Sequence, residues 1–211
     1  MNDVDFTPES EPAVAARIFG AGIDQARKYA TALARDGETF GLLGPREYPR
    51  LWTRHILNSA VVAELVSPGQ TVGDVGSGAG LPGIPMAIAQ PEAQFVLIEP
   101  MERRSEWLKQ TVEELGLNNV RVLRNRAEEV GEVFDVVTAR AVKAMPQLLR
   151  MCVPMTKNGG EIIALKGAKA GEEIEEAKPL MKKLGIESFD IVFTGEQFLD
   201  EPTRVVRTKL V

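Results

Sequence analysis

Gly73-Asp74-Val75-Gly76-Ser77-Gly78-Ala79-Gly80-Leu81-Pro82-Gly83 is the stretch on which the fold turns. The run leading into it, Thr71–Val75, is short and largely apolar, as a buried strand is. Ile84–Ala89, which follows, has the composition of a helix. Strand, glycine turn and helix in that order place the turn at the carboxyl end of the first strand of an α/β sheet, where such sheets bind ligands. Glycine reaches positive φ freely and lets backbone approach a ligand closely. A single glycine would fit a tight turn that binds nothing. Four between Gly76 and Gly83 point to a ligand.

Downstream the pattern repeats. Strands are expected at Phe95–Ile98, Val120–Leu123, Phe134–Thr138 and Ile162–Leu165. Helices are expected between them over about 103–115, 145–152 and 171–184. Gly116-Leu117 reads as a Schellman end to the first of these, and Asn158-Gly159-Gly160 as a turn. Phe189–Phe193 and Thr203–Val211 read as two late strands that pair antiparallel. The fold class expected is a Rossmann-like α/β domain with a mostly parallel seven-stranded sheet over 70–211. Upstream, residues 11–69 read as a helical extension packed on that domain. One helix is interrupted at Gly20 and Gly22, and a second opens at Pro49 with Trp52, Ile56, Leu57, Ala60, Val61 and Leu65 on one face. Residues 1–10, acidic and mostly polar, read as a loose end.

The glycine turn admits two cofactors. Gly78-x-Gly80-x-x-Gly83 has dinucleotide spacing, in which a pyrophosphate sits on the helix N-terminus. S-adenosylmethionine has no phosphate, and the glycines would give room to its methionine part. Asp74 favours the second reading, since a carboxylate near the turn suits an ammonium better than a pyrophosphate. Glu99 ends the second strand, where a carboxylate can accept from both ribose hydroxyls of either cofactor. A dehydrogenase usually also carries a separate substrate domain, and only about 70 helical residues precede the first strand.

Composition bounds the rest. The chain has 211 residues, 44% hydrophobic and 26% charged, as globular proteins do. No window approaches the ~18 apolar residues of a membrane span, and the acidic first residues do not resemble a targeting signal. A cytoplasmic protein is expected. One cysteine, Cys152, and one histidine, His55, leave no disulfide and no Cys or His metal site, so no metal is expected. Both read as buried structural residues. Net charge is −5, but Asp3, Asp5, Glu9 and Glu11 supply most of it, so the body can still present a basic face.

The stretch Asp74–Pro85, DVGSGAGLPGIP, resembles the bacterial 16S ribosomal RNA guanine-N7 methyltransferase G family, and Leu-Pro-Gly-Ile-Pro is its specific part. Arg54-His55-Ile56-Leu57-Asn58-Ser59 is similar to that family's Arg-His-Ile-Leu-Asp-Ser signature, with Asn58 in place of the commoner Asp. Arg126-Ala127-Glu128-Glu129, Thr138-Ala139-Arg140-Ala141, Leu165-Lys166-Gly167 and Thr203-Arg204-Val205-Val206 extend the resemblance along most of the chain. It implies that Asp74, Gly76, Gly78, Leu81 and Glu99 hold S-adenosylmethionine. Ala127 and Glu128 would lie along its adenine. Arg140 would face its methionine end and, with Arg126 and Lys166, the reacting centre. Arg103, Arg126, Lys166 and Arg204 would contact RNA. The partner implied is 16S rRNA or the 30S particle, with no membrane and no obligatory protein partner.

Guanine N7 carries a lone pair and no proton, so its methylation needs no general base. The sequence fits this. It has no Asp/Asn-Pro-Pro-aromatic motif for exocyclic amines and no Pro-Cys pair for pyrimidine C5 chemistry. The alternatives are a methyltransferase of another acceptor, a nicotinamide-dependent oxidoreductase, and a cofactor-sensing RNA-binding protein without activity.

Overall fold

A computed structural model describes residues 6–140 and 143–211. Seven strands form one sheet: β1 Thr71–Val75, β2 Gln94–Ile98, β3 Val120–Leu123, β4 Phe134–Arg140, β5 Thr156–Leu165, β6 Ile186–Thr194 and β7 Thr203–Leu210. Their order is β3-β2-β1-β4-β5-β7-β6. The first five run parallel, and β7 is antiparallel to both β5 and β6. Strand order reverses at β1, between β2 and β4, so the crevice of this sheet opens where the glycine turn leaves β1. β2 is buried from its second residue on, as a parallel strand covered on both faces must be.

Helices cover both faces. On one side α4 (Gly83–Ala89) and α5 (Glu102–Leu115) are overlaid by the N-terminal extension: α1 (Ala15–Phe19), α2 (Ile23–Asp36) and a helical run, α3, built from Leu51–Leu57, Asn58–Ala60 and Val61–Leu65. A single apolar core joins Tyr29, Leu33, Trp52 and Ile56 of the extension to Ile84, Leu97, Trp107 and Leu108 of the sheet domain. The Trp107 indole N–H donates to Asp36 Oδ2 at 2.9 Å across that seam. On the other side α6 (Met145–Cys152) and α7 (Ala170–Ala177) bury Leu148, Leu149, Cys152 and Ile174 against the sheet.

Several boundaries depart from the sequence reading, each for a local reason. α5 ends as expected: Gly116 takes φ +63°, Leu117 N–H donates to Val112 O, and Gly116 N–H donates to Glu113 O. Asn158-Gly159-Gly160 does not precede β5 but lies inside it. There the pairing with β4 slips between Phe134 and Val136, and Gly159 sits at φ +71°. The helix expected over 171–184 breaks at Lys178–Leu180, because Pro179 has no N–H to continue it, and resumes as α8, Met181–Leu184. Residues 6–10 are not loose. Glu9 N–H donates to Tyr48 O, and the Glu9 carboxylate accepts from Thr53 N–H and Oγ1. Residues 1–5 and Ala141 lie outside the described residues. Among the described residues no helix is long and apolar enough to cross a membrane.

Candidate active site

The glycine turn is built in two halves. Gly76 (φ +70°), Gly78 (φ +54°) and Gly80 (φ +84°) all occupy the left-handed region. In the first half, a Cβ at Gly78 would meet only Gly76 O, at 3.8 Å. The second half is closed. A Cβ at Gly80 would lie 2.4 Å from Ile84 Cδ1, and one at Gly83 would lie 2.4 Å from Leu97 Cδ2 and 2.6 Å from Asp74 Oδ2. Gly80 and Gly83 are therefore packing residues that let α4 sit tightly on the sheet.

This arrangement separates the two cofactors. A pyrophosphate needs free N–H groups at the start of α4. Gly83 N–H donates to Asp74 Oδ2 at 3.1 Å, Ile84 N–H to Gly80 O at 2.7 Å and Met86 N–H to Pro82 O at 3.1 Å, while Pro85 has none. The first turn of α4 offers a phosphate no donor and meets it with a carboxylate. Asp74 is fully buried, and its Oδ1 has no hydrogen-bond partner. Burial, set against the nearby Ser77 hydroxyl and the hydrogen bond from Gly83 N–H, pushes its carboxyl up to about 7, while Ser77 Oγ itself donates to the Asp74 backbone oxygen. Asp74 ties the turn to the start of α4, its Oδ2 accepting from Gly83 N–H.

Glu99 stands at the end of β2 with both oxygens directed by backbone. Oε2 accepts from Gly78 N–H and Oε1 from Met101 N–H, each at 2.9 Å. Each oxygen keeps a lone pair for a ribose hydroxyl. Beside it opens a cleft of about 590 Å³ lined by Gly76, Ile98, Pro100, Met101, Arg126, Ala127, Glu128 and Met151. Its walls are a glycine backbone, apolar side chains and a polar side that also carries Arg124, Asn125, Glu129 and Lys143, a mixture that can take a nucleoside. The group that fits is an adenosine without phosphate, as in S-adenosylmethionine. Leu81 is buried in the core cluster that includes Ile84 and Leu97.

A second, wider basin of about 1190 Å³ lies at the carboxyl ends of β4 and β5. Arg50, just before α3, and Thr53, Arg54 and Asn58 of α3 line one side, β4 contributes Arg140, and the segment after β5 contributes Lys166 and Gly167. Phe193 and Leu199–Arg204 close it from the β6–β7 side. Arg140 does not project freely into it. One guanidinium nitrogen donates to His55 O and Ser59 Oγ at 3.2 and 3.1 Å. The other donates to Arg54 O at 3.2 Å and lies 2.8 Å from His55 Nδ1. Leu51–Leu57 is a π-helical stretch, whose wide turn leaves these carbonyls open to a side chain. His55 Nε2 lies 2.7 Å from Glu47 Oε2, so the neutral ring donates from Nε2 and accepts at Nδ1. Burial, then the Arg140 charge, push His55 down to about 4 against the pull of Glu47. Lys166 Nζ sits 2.7 Å from both Glu173 Oε2 and Lys143 O.

A profile of the family described as GidB, rRNA small subunit methyltransferase G, matches residues 22–202. The chain is 50% identical over 204 residues to the Ribosomal RNA small subunit methyltransferase G of Clavibacter michiganensis, with 96% of each chain covered. It is 52% identical to that of Leifsonia xyli, covering 94% of this chain and 96% of the relative. This chain belongs to the rRNA small subunit methyltransferase G family. Among solved structures, M. jannaschii TYW2 in complex with AdoMet superposes with a TM-score of 0.58 at 20% identity, over 75% of this chain and 76% of that one. P. horikoshii TYW2 in complex with MeSAdo gives 0.59 at 16%, over 74% and 62%. These similarities show the class I methyltransferase fold.

Within the methyltransferase G framework, the basic residues expected on one face divide between the two clefts. Arg126 is exposed on the rim of the nucleoside cleft, and Arg140, Lys166 and Arg204 belong to the basin. Arg103 lines neither: its guanidinium stacks 5.2 Å over Phe40 of the extension. Asn58, standing where the signature carries Asp, lines the basin and offers its backbone oxygen to Thr203 Oγ1 at 2.8 Å. Tyr29 of α2 donates its hydroxyl to Ala79 O at 2.6 Å. The extension thus holds the glycine turn directly. No periodicity could have shown this, because a buried tyrosine and a buried phenylalanine occupy the same place in an amphipathic pattern. Among the described residues no cluster of three or more His, Cys, Asp or Glu is arranged for a metal.

Proposed function

We propose that this protein transfers the methyl group of S-adenosylmethionine to N7 of a specific guanine in the decoding-region loop of 16S rRNA, as free rRNA or in the 30S particle, in the cytoplasm. The observation that carries the cofactor half is the glycine turn beside Glu99, whose helix has every first-turn amide engaged. Family membership supports the rRNA half.

S-adenosylmethionine supplies an electrophilic methyl on a sulfonium. Glu99 accepts from the ribose hydroxyls, Gly76 and Gly78 leave room for the methionine part, and Ala127 and Glu128 line the adenine. Arg126, Lys166 and Arg204 position RNA. Arg140 holds α3 against the end of β4, and so fixes the wall between cofactor and base. No residue takes a proton, because N7 has none. His55 fits that scheme: neutral, buried and bonded at both nitrogens, it is no base. A cation beside the 7-methylguanine product would be repelled, so these side chains act by placement, which can supply roughly 7–11 kcal/mol. The transfer as written calls for no metal.

The test is transfer from radiolabelled S-adenosylmethionine to unmodified 16S rRNA and 30S particles, followed by digestion to nucleosides. Label in 7-methylguanosine is expected. Label in another nucleoside, or binding of a nicotinamide cofactor in preference to S-adenosylmethionine, would overturn the proposal.

A further inference from the structure

Phe193 belongs to none of the motifs discussed above. It stands near the end of β6, the edge strand of the sheet, and is 47% exposed, a large apolar ring facing the basin. Its ladder partner on β7 is Arg204, whose guanidinium lies 5.3 Å from the ring centroid. The guanidinium stands over the ring, which remains 47% exposed. Among the described residues no carboxylate pairs with Arg204.

We propose that Phe193, backed by Arg204, is a stacking platform for an unpaired RNA base next to the base being methylated. This rests on the RNA-methyltransferase reading above. Three features select a base over a phosphate or a protein. An aromatic face presents a surface on which any nucleobase stacks without regard to sequence. The same basin is lined by Arg50, just before α3, and Arg54 of α3, half-exposed cations that share Glu47 and can turn to flanking phosphates. Asp200 and Glu201, exposed on the rim next to Arg204, disfavour a phosphate there, so what rests on Phe193 is the neutral part of a nucleotide. The base to be methylated must leave its stack to reach the cofactor. A ring that takes up a neighbouring base replaces part of the stacking lost.

The test uses the full chain and a fluorescently labelled single-stranded fragment of 16S rRNA containing the decoding-region loop, with 2-aminopurine at positions flanking the target guanine. Phe193→Ala should weaken fragment binding about tenfold and abolish quenching of one flanking 2-aminopurine. Phe193→Trp should restore both. Binding of S-adenosylmethionine, followed by thermal shift, should be the same in all three proteins and so report that each is folded. Wild-type affinity and quenching in Phe193→Ala would overturn the platform while leaving the methyltransferase reading intact. Wild-type protein that neither binds nor methylates the rRNA would overturn both. A dimer in sedimentation that depends on Phe193 would assign the ring to edge-strand pairing between copies and likewise overturn the proposal.

Discussion

At Arg140 the four hydrogen bonds to Arg54 O, His55 O, His55 Nδ1 and Ser59 Oγ change what the residue does. Position alone, at the carboxyl end of β4, points to contact with ligand; the geometry makes it a clamp on the π-helical stretch of α3. Arg140→Ala removes the guanidinium donor from those acceptors, of which His55 O keeps the Ser59 hydroxyl. It should lower stability by about 2 kcal/mol, read by urea unfolding, and lower kcat for rRNA more than affinity for S-adenosylmethionine. Two nearby groups set opposing pH dependences. His55, pushed down to about 4, binds fewer protons folded than unfolded between about 4 and its ordinary 6.5, so its share of stability is lost as pH falls through that range. Asp74, raised from 3.8 to about 7, binds more protons folded than unfolded, so its share is lost as pH rises through that range. Asp74→Asn removes the second slope. The melting temperature of that variant should fall from pH 6.5 to pH 4 more steeply than that of the parent. The sequence shows which residues stand at strand ends but not what their side chains hold. That is why the hydrogen bonds of Arg140 and Asp74 are legible only in the fold, whereas His55, a lone histidine on a helix, is legible as structural from the sequence.

Among the elements, the glycine turn was the most legible, since strand, positive-φ glycines and helix are each written locally. Its division into an open and a closed half was not, because that depends on Ile84, Leu97 and Asp74 meeting in space. The division predicts different failures for similar changes. Gly83→Ala drives a Cβ into Leu97 and should cost about 1–3 kcal/mol of stability. Gly78→Ala, whose Cβ would meet only Gly76 O, should cost only the left-handed conformation, about 1–2 kcal/mol, while weakening S-adenosylmethionine binding. Calorimetric titration beside thermal unfolding separates the two. The bulge in β5 and the break at Pro179 show the limit of local signals. Asn158-Gly159-Gly160 is turn chemistry wherever it stands, and only the pairing with β4 turns it into an irregularity inside a strand.

Across the whole molecule, the extension is part of the catalytic domain's machinery. Tyr29 holds the glycine turn, Trp107 reaches back to Asp36, and α3 forms one wall of the basin. Tyr29→Phe keeps the ring and removes the bond to Ala79 O. It should weaken S-adenosylmethionine binding with about 1 kcal/mol of lost stability, by the same paired titration and unfolding. The separation of the two clefts sets salt dependence as well. RNA affinity should fall with a log–log slope of about −0.7 per phosphate contact, while affinity for S-adenosylmethionine stays nearly flat, measured by fluorescence anisotropy and calorimetry from low to moderate salt. Overall topology followed from the order of strands and helices. The sorting of basic residues between the clefts did not, because Arg103, Arg126 and Arg204 look alike in sequence and are separated only by the fold.

The most direct measurement is the position of the methyl group. After reaction with S-adenosylmethionine, unmodified 16S rRNA is reduced with borohydride and treated with aniline, which cuts at 7-methylguanine. A single new cut in the decoding-region loop, present with wild type and reduced with Arg140→Ala, is the result expected. Methyl incorporation with no aniline cut, or cuts scattered over many guanines, would contradict the account.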